Sequence, residues 1–289
     1  MQLVTFTLDG RTRPGVLQGD TVLDLGDRVP VGPEGDLLEL ARRGDAALAE
    51  IRTMIAAWSG PRHPLGSVRL RAPILSPPKV IGIGLNYIDH CKEANLKEPK
   101  EPVLFCKFST CVADPDQDIV FDPGLCVQID YEVELGFVIG KTARNIGVDR
   151  ALDHVLGYTI VNDVTARDLQ FRDGGQWDLS KSLDTFCPWG PSIVTRDEIP
   201  DPQKLGLRLR LNGAEMQRSN TSNMIFGVAQ LIAFISRGVT LLPGDLVTTG
   251  TPFGVGFTRK PPVYLEDGDE CVLEIDRLGT LTNRVRARK

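Results

Sequence analysis

The chain has 289 residues, a net charge of −5 at pH 7, and 42% hydrophobic and 25% charged residues. This is ordinary globular composition, enough for one large domain or for one domain with a small appendage. The charge argues against a nucleic-acid surface, and no apolar run is long enough to span a membrane. The first residues lack a basic stretch followed by an apolar one, so a cytoplasmic location is expected by default.

Three short apolar segments near the N-terminus, residues 3–8, 14–17 and 21–25, predict strands separated by tight turns. Helical patterns follow, around 37–41 and 48–58. We therefore predict a small α+β domain over residues 1–70, without ligand chemistry. The proline-rich stretch 70–78 predicts a linker, and the rest of the chain reads as strand-rich apart from one amphipathic helix over 223–237.

Six cysteines occur without a Cys-x-x-Cys pair, and the chain has only three histidines. This argues against a zinc site of the usual type. A chain of this length needs no disulfides to fold, so we predict reduced and mostly buried thiols.

The segment 79–84 predicts a strand that ends in Gly82-x-Gly84, which lacks the third glycine of a dinucleotide-binding motif. His90 and Glu93 follow, three residues apart, and are neighbours if this stretch forms a helical turn. A carboxylate beside an imidazole orients the ring and raises its basicity, as a general base requires. The alternative is an ordinary surface pair on a helix. The polar segment 94–102 is a candidate lid.

Two glutamates, Glu132 and Glu134, lie two residues apart in a segment that predicts a strand. Strand side chains alternate between faces, so both carboxylates point the same way. Adjacent carboxylates repel each other and are costly to desolvate, so an interior face would need a cation such as Mg²⁺, Mn²⁺ or Ca²⁺. Asp163, at the end of a second strand, offers a third oxygen ligand. The alternatives are a solvated strand face and, for Asp163, a helix N-cap.

Other polar residues could form an anion-binding pocket beside these acids. Lys107 lies in an apolar strand, Lys181 in a short polar segment, and Arg167 and Gln170 just after the third acid. A cation next to a metal centre can bind a substrate carboxylate or stabilise a developing enolate, although each residue alone is typical of a surface. Thr251 lies in a glycine-rich segment whose N–H groups could bind a carboxylate or an oxyanion.

Five motifs in this order resemble the fumarylacetoacetate hydrolase family, above all the branch that contains the fumarylacetoacetate hydrolase domain-containing protein 2 group and its bacterial relatives. The resemblance covers about residue 78 to the end of the chain. The motifs are Tyr87-x-x-His90-x-x-Glu93, Asp130-Tyr131-Glu132-x-Glu134-Leu135, Asn162-Asp163-x-x-x-Arg167-Asp168-x-Gln170, Lys181-Ser182-x-Asp184 and Thr249-Gly250-Thr251-Pro252-x-Gly254-Val255-Gly256.

The resemblance implies a β-rich α+β fold, in which residues 71–289 form a mixed β-roll catalytic domain, and a homodimer. It implies Mg²⁺ or Mn²⁺, or Ca²⁺, as cofactor. It also implies a water-activating base made by His90 with Glu93, and stabilisation of an enolate by Lys181. The implied metal ligands are Glu132, Glu134 and Asp163. The residues expected at the substrate are Tyr87, Lys107, Arg167, Gln170 and Thr251.

We therefore predict a hydrolase that cleaves a carbon–carbon bond in a 2,4-dioxo acid of the acylpyruvate or fumarylpyruvate type through a pyruvate enolate. Oxaloacetate decarboxylation, keto–enol tautomerisation and double-bond isomerisation are alternatives that need the same site. A non-catalytic protein that binds an oxo acid or a cation is a further alternative, against which the predicted base argues. The expected partner is a small oxo acid, with no nucleic acid and no membrane.

Overall fold

The computed structural model describes residues 1–288 and contains 19 strands and six α-helices. The strands are β1 Gln2–Leu8, β2 Arg11–Gln18, β3 Thr21–Asp24, β4 Arg62–Pro64, β5 Arg69–Arg71, β6 Val80–Gly84, β7 Val103–Lys107, β8 Val112–Ala113, β9 Ile119–Phe121, β10 Ile129–Asp130, β11 Val133–Ile139, β12 Val155–Asn162, β13 Thr165–Ala166, β14 Cys187–Thr195, β15 Gly206–Leu211, β16 Ala214–Asn220, β17 Leu246–Thr248, β18 Glu270–Ile275 and β19 Gly279–Ala287. The helices are α1 Leu38–Arg43, α2 Asp45–Ala56, α3 Ile88–Glu93, α4 Arg167–Gln170, α5 Trp177–Lys181 and α6 Val228–Gly238.

The central feature is a 12-stranded mixed sheet with the order β4-β3-β2-β1-β14-β12-β11-β17-β6-β7, in which β5 also pairs with β1 and β8 with β14. Most pairs are antiparallel, and β17–β6 and β14–β8 are parallel. A five-stranded sheet of order β16-β15-β18-β19-β9 and a two-stranded β10–β13 ribbon complete the β structure. The predicted β-rich α+β fold is confirmed.

Alternation along β11 divides the core between the two faces of the large sheet. Leu135 and Phe137 pack into the cluster that also contains Leu209 of the five-stranded sheet and Leu231 of α6. Val138 points the other way, into the cluster that is covered by α1 and α2. The middle of the large sheet is therefore buried on both faces, which agrees with the continuous burial of β11 and β12.

The N-terminal strands belong to the same sheet as the strands that carry the acids. β1 pairs with β14, where Leu3 faces Ile193. The predicted linker is packed rather than free, because Ala72 and Ile74 are fully buried and the Pro73 carbonyl accepts a hydrogen bond from Thr5 Oγ1 at 2.6 Å. The division at residue 70 stays a prediction, and both the sheet and a shared core extend across it.

The amphipathic helix begins later than its sequence pattern predicts. Thr221–Asn223 forms a short 3₁₀ turn, and the α-helix begins at Val228. The intervening backbone is held by a distant side chain, since Asn86 Oδ1 accepts from the Phe226 N–H at 2.9 Å and Asn86 Nδ2 donates to the Phe226 carbonyl at 3.0 Å. Gly238 is the last helical residue rather than the residue beyond the helix.

The predicted reduced thiols agree with the structure, in which the six cysteines form no disulfide and only Cys106 is exposed. None of the helices formed by residues 1–288 is long and apolar enough to cross a membrane.

We expect Leu3→Ala to destabilise the whole protein, because Leu3 is fully buried in the core that the N-terminal strands share with β14. The cost should be about 2–5 kcal/mol in one cooperative urea transition followed by circular dichroism. The control Leu125→Ala removes a leucine that is 45% exposed and should change stability by less than about 1 kcal/mol. Two urea transitions, of which only the one at lower urea concentration shifts in Leu3→Ala, would instead show that the N-terminal strands unfold independently.

Candidate active site

A cavity of about 190 Å³ opens beside the ends of β11 and β12. The pairing of these strands places Val133 opposite Asn162, so the residues next to them, Glu132 and Asp163, lie close together. Glu134 lies one pair further along β11, and all three acids line the cavity. The prediction that the two glutamates share a face is confirmed. Asp163 does not cap a helix, since the next helix, α4, has Ala166 as its N-cap.

The three carboxylates form a compact oxygen cluster. One oxygen from each of Glu132, Glu134 and Asp163 lies within 4.8 Å of the others, and all three side chains are buried. Carboxylate oxygens at this spacing are the donors that hard divalent cations prefer. The cluster could therefore hold a metal ion.

Two buried lysines balance part of this negative charge. Lys181 Nζ donates to Glu132 at 2.9 Å, to Asp163 at 2.6 Å and to Thr165 Oγ1 at 2.8 Å. Lys107 Nζ donates to the other Asp163 oxygen at 2.6 Å and to the Phe186 carbonyl at 3.0 Å. Burial lowers the pKa of Lys107, but the Asp163 charge outweighs this effect and raises it above the usual value. Lys107 is therefore charged where it holds Asp163.

The guanidinium of Arg167 connects the acids to the short β10–β13 ribbon. Its Nη2 donates to Glu132 at 2.5 Å, its Nε to Asp130 at 2.9 Å and its Nη1 to Gln170 Oε1 at 2.9 Å. The ribbon sets this contact, because Asp130 faces Thr165 and Arg167 follows β13 directly. Gln170 lines the cavity beside Arg167.

The two glutamates differ in electrostatic environment. Burial raises the pKa of Glu132, but the charges of Lys181 and Arg167 outweigh this effect and lower it to about 2. Burial raises the pKa of Glu134 well above its usual value, and the charges of Asp163 and Glu132 raise it further. Within residues 1–288, Glu134 accepts a hydrogen bond from the Gly250 N–H at 2.9 Å but forms no ion pair. A bound cation is the partner that Glu134 lacks, so the donor set fits a metal.

His90 lies at the cavity, and Glu93 lies behind it. His90 is 7% exposed, and its Nδ1 lies 3.7 Å from a Glu93 carboxylate oxygen on the same short helix, α3. Glu93 in turn accepts from the Gly254 N–H at 3.0 Å. Burial raises the pKa of Glu93, but the neighbouring His90 ring and the hydrogen bond from the Gly254 N–H outweigh this effect and lower the pKa. The predicted neighbours therefore lie side by side, but at 3.7 Å His90 Nδ1 forms no hydrogen bond with Glu93.

The remaining predicted substrate residues differ in position. Thr251 lines the cavity, but its hydroxyl donates to the Val133 carbonyl at 3.1 Å and accepts from Gln217 Nε2 at 2.8 Å. Lys107 and Tyr87 do not line the cavity. Lys107 is turned towards Asp163, and Tyr87 is fully buried in the apolar core. Lys107 therefore contacts a site acid from outside the cavity, and the substrate roles of Lys107 and Tyr87 stay predictions.

Sequence reasoning did not assign a role to Asp130, which is fully buried next to the site. Its two oxygens accept from Arg167 Nε and from the Gly256 and Phe257 N–H groups, at 2.7 Å and 3.1 Å for the latter two. Asp130 thus ties Arg167 to the C-terminal glycine-rich loop. The available signal was its place two residues before Glu132, where apolar and acidic residues alternate from Ile129 to Glu134.

Residues 79–286 match the family description "Fumarylacetoacetate (FAA) hydrolase C-terminal". The chain belongs to the fumarylacetoacetate hydrolase family. The resemblance that was inferred from its motifs is therefore confirmed, and so is the fold that this resemblance implied.

Relatives carry several activities in their names. The chain is 45% identical to a rat (Rattus norvegicus) protein named oxaloacetate tautomerase Fahd2a, mitochondrial, over 99% of this chain and 91% of that one. It superposes with a TM-score of 0.87 and 41% identity on a fumarylacetoacetate hydrolase from Exiguobacterium antarcticum, over 100% of both chains. It superposes with a TM-score of 0.83 and 29% identity, again over 100% of both, on a maleylpyruvate hydrolase from Sphingobium sp. SYK-6 in complex with manganese(II) and pyruvate.

We expect Glu134→Gln to weaken Mn²⁺ binding by more than about 10- to 100-fold, the cost of losing a residue that only supports a ligand. In EDTA the variant should be at least as stable as the wild type, because a buried carboxylate without a cation partner is removed and the amide oxygen can still accept from Gly250. Titration calorimetry and thermal melts measure both effects. Glu98→Gln, at an exposed position, is the control. Wild-type Mn²⁺ affinity in Glu134→Gln would rule out this ligand.

We expect Asp130→Ala to cost about 3–5 kcal/mol of stability, because it leaves the Arg167 guanidinium buried without one of its carboxylate partners. The loop at Gly256 should also lose hydrogen-exchange protection, since its N–H donates to Asp130. Asp173→Ala, at an exposed position, provides the comparison. Unchanged unfolding and exchange in Asp130→Ala would show that this contact does not hold the loop.

Proposed function

We propose that this chain catalyses keto–enol tautomerisation of a 2-oxo acid, with oxaloacetate as the first substrate to test. The observation that carries the proposal is one cavity that combines an imidazole, His90, with the buried cations Lys181 and Arg167. Proton transfer next to a carbonyl needs such a base and such positive charge. The motifs of this chain first indicate carbon–carbon hydrolysis, but the name of the rat relative favours tautomerisation.

Each residue has a defined part in this proposal. Arg167 uses three N–H donors on Asp130, Gln170 and Glu132, and a guanidinium has five, so two can bind a substrate carboxylate. His90 takes a proton from C3, the electron pair shifts towards the C2 oxygen, and the imidazolium returns the proton to that oxygen. Atoms and charge balance without water or a further reactant. Lys181 stabilises the negative charge on the oxygen.

The metal is part of the proposal. Glu132, Glu134 and Asp163 would hold Mg²⁺ or Mn²⁺ (Ca²⁺ is a further candidate), and the bound ion would supply positive charge for an oxo acid and its enolate. The manganese in the maleylpyruvate hydrolase complex supports this cofactor class. Lys107 would position Asp163 rather than bind substrate. Tyr87 would act through its packing in the core. Thr251 would act through the hydrogen bond that its hydroxyl donates to the Val133 carbonyl.

Hydrolysis of an acylpyruvate is the second candidate function, and one observation favours it. The Glu93 carboxylate lies on the Nδ1 side of the His90 ring, at 3.7 Å, which leaves Nε2 as the nitrogen that could deprotonate water. Water would attack the C4 carbonyl, the C3–C4 bond would break, and pyruvate and a carboxylic acid would form. Decarboxylation of oxaloacetate, which releases CO₂ and pyruvate, is the remaining alternative.

The homodimer and the cytoplasmic location stay predictions. The rat relative is named as a mitochondrial protein, so the compartment of this chain requires its own measurement. Light scattering of the purified protein measures the oligomeric state.

Three assays with Mg²⁺ separate the reactions: loss of the enol absorbance of oxaloacetate, pyruvate release from oxaloacetate, and pyruvate release from acetylpyruvate. We expect rapid enol loss with little pyruvate. His90→Gln should slow the loss of enol absorbance by about 100-fold or more, which is the scale for losing a general base, and should retain the Mn²⁺ affinity of the wild type. His63→Gln, on β4 and outside the cavity, is the matched control.

Pyruvate release from acetylpyruvate without catalysed enol loss would replace the tautomerase by the hydrolase. Pyruvate release from oxaloacetate at the rate of enol loss would indicate the decarboxylase.

A further inference from the structure

One wall of the cavity consists of aromatic rings that the proposed proton transfer does not use. Phe105 on β7 and Trp177 on α5 both line the cavity, with ring centroids 5.9 Å apart and planes inclined at 55°. Phe105 is buried and Trp177 is half-buried. The Lys181 ammonium lies 4.9 Å from the centroid of the Phe105 ring, so this wall begins directly beside the charged residues.

Two glycines of β6 provide the space for these rings. A Cβ on Gly82 would come within 2.0 Å of Phe105 Cζ, and a Cβ on Gly84 within 2.8 Å of Trp177 Cζ3. Gly82 faces Phe105 across the β6–β7 pair. Positions 82 and 84 lie on one face of the strand, so the Gly-x-Gly segment is explained by ring packing.

The cavity is lined by both ionisable and apolar side chains. Among residues 1–288, the ionisable side chains that line it are those of the proposed chemistry, and the aromatic wall adds no cation that could pair with a carboxylate. The ionisable lining residues are His90, Glu132, Glu134, Asp163, Arg167 and Lys181. The apolar lining includes Ile83, Leu96, Phe105, Phe171, Trp177 and Phe257. Phe257 lies over the Arg167 guanidinium, with 4.3 Å between the ring centroid and Cζ, so the wall formed by Phe105 and Trp177 is the apolar part considered below.

We propose that the wall formed by Phe105 and Trp177 is a subsite for an apolar, preferably aromatic, group at the far end of a 2-oxo acid. The inference rests on the proposed function for the position of the oxo-acid head beside His90, Lys181 and Arg167.

The cation beside this wall, Lys181, already donates its three N–H groups to Glu132, Asp163 and Thr165. A carboxylate against the wall would therefore lose water without gaining a free donor, whereas an aromatic ring would gain from burial and from ring–ring contact. Substrates with an aromatic tail should therefore be preferred to oxaloacetate.

Binding of two unreactive ligands tests the subsite without requiring turnover. Oxamate and N-phenyloxamate share one oxo-acid-like head, and only the second carries a ring. Calorimetry with Mn²⁺ present should give a Kd for N-phenyloxamate that is lower by about tenfold or more, the scale for burying an aromatic ring.

Trp177→Ala removes the ring, and Gly84→Ala displaces it while keeping it in the chain. In both variants the Kd ratio, that of oxamate divided by that of N-phenyloxamate, should fall below about threefold. The Kd of oxamate itself should stay within about twofold of the wild-type value. Leu179→Ala, on the same helix but 44% exposed and outside the cavity, should keep the wild-type ratio.

Equal affinities of the wild type for the two ligands would overturn the subsite, and so would a wild-type ratio in both Trp177→Ala and Gly84→Ala. Failure of the proposed function looks different. In that case oxaloacetate and phenylpyruvate would show no catalysed enol–keto exchange, while the Kd ratio and its loss in the two variants would persist.

Discussion

The burial of many charges in one place is the constraint on which this structure depends. Asp130, Glu132, Glu134 and Asp163 lie with Lys107, Arg167 and Lys181 where water has little access. Charges without water are tolerated only when each has close and well-directed partners. Four carboxylates face three cations, so Glu134 is left without an ion pair, and its raised pKa reflects this. This excess of negative charge destabilises the protein without a metal ion, and it favours the binding of a divalent cation.

The surrounding architecture satisfies these charges by bringing distant segments together. The β11–β12 pair places the acids side by side, the β10–β13 ribbon places Arg167 against Asp130, and the glycine-rich loop contributes N–H groups to Asp130 and Glu134. Each segment supplies only some of the hydrogen-bond and ion-pair partners of the buried charges, so no single segment forms the site. The rigidity of the large sheet, which is buried on both faces around β11, fixes the distances between them.

The predictable features are those with a local cause. Period-two alternation is enough to place Glu132 and Glu134 on one face, and three-residue spacing on a helical turn is enough to pair His90 with Glu93. Features with a distant cause could not be read from single segments. The late start of α6 depends on Asn86, the role of Asp130 depends on a loop near the C-terminus, and the turning of Lys107 towards Asp163 depends on the position of β12. The sequence alone gives no reason for Gly82 and Gly84 on a strand, whereas the structure explains them by the rings of Phe105 and Trp177.

The pairing of β1 with β14 has a consequence for synthesis on the ribosome. Leu3 faces Ile193, so the first strand emerges about 190 residues before the strand that it pairs with. At about 5–20 residues per second, the Gln2–Leu3 end of β1 waits for roughly 10–40 s before β14 can pair with it. During this interval β2 and β5 are its available partners, and both already pair with it in the final sheet. The N-terminal strands can thus form a nascent meander that shields β1 until the centre of the sheet leaves the exit tunnel.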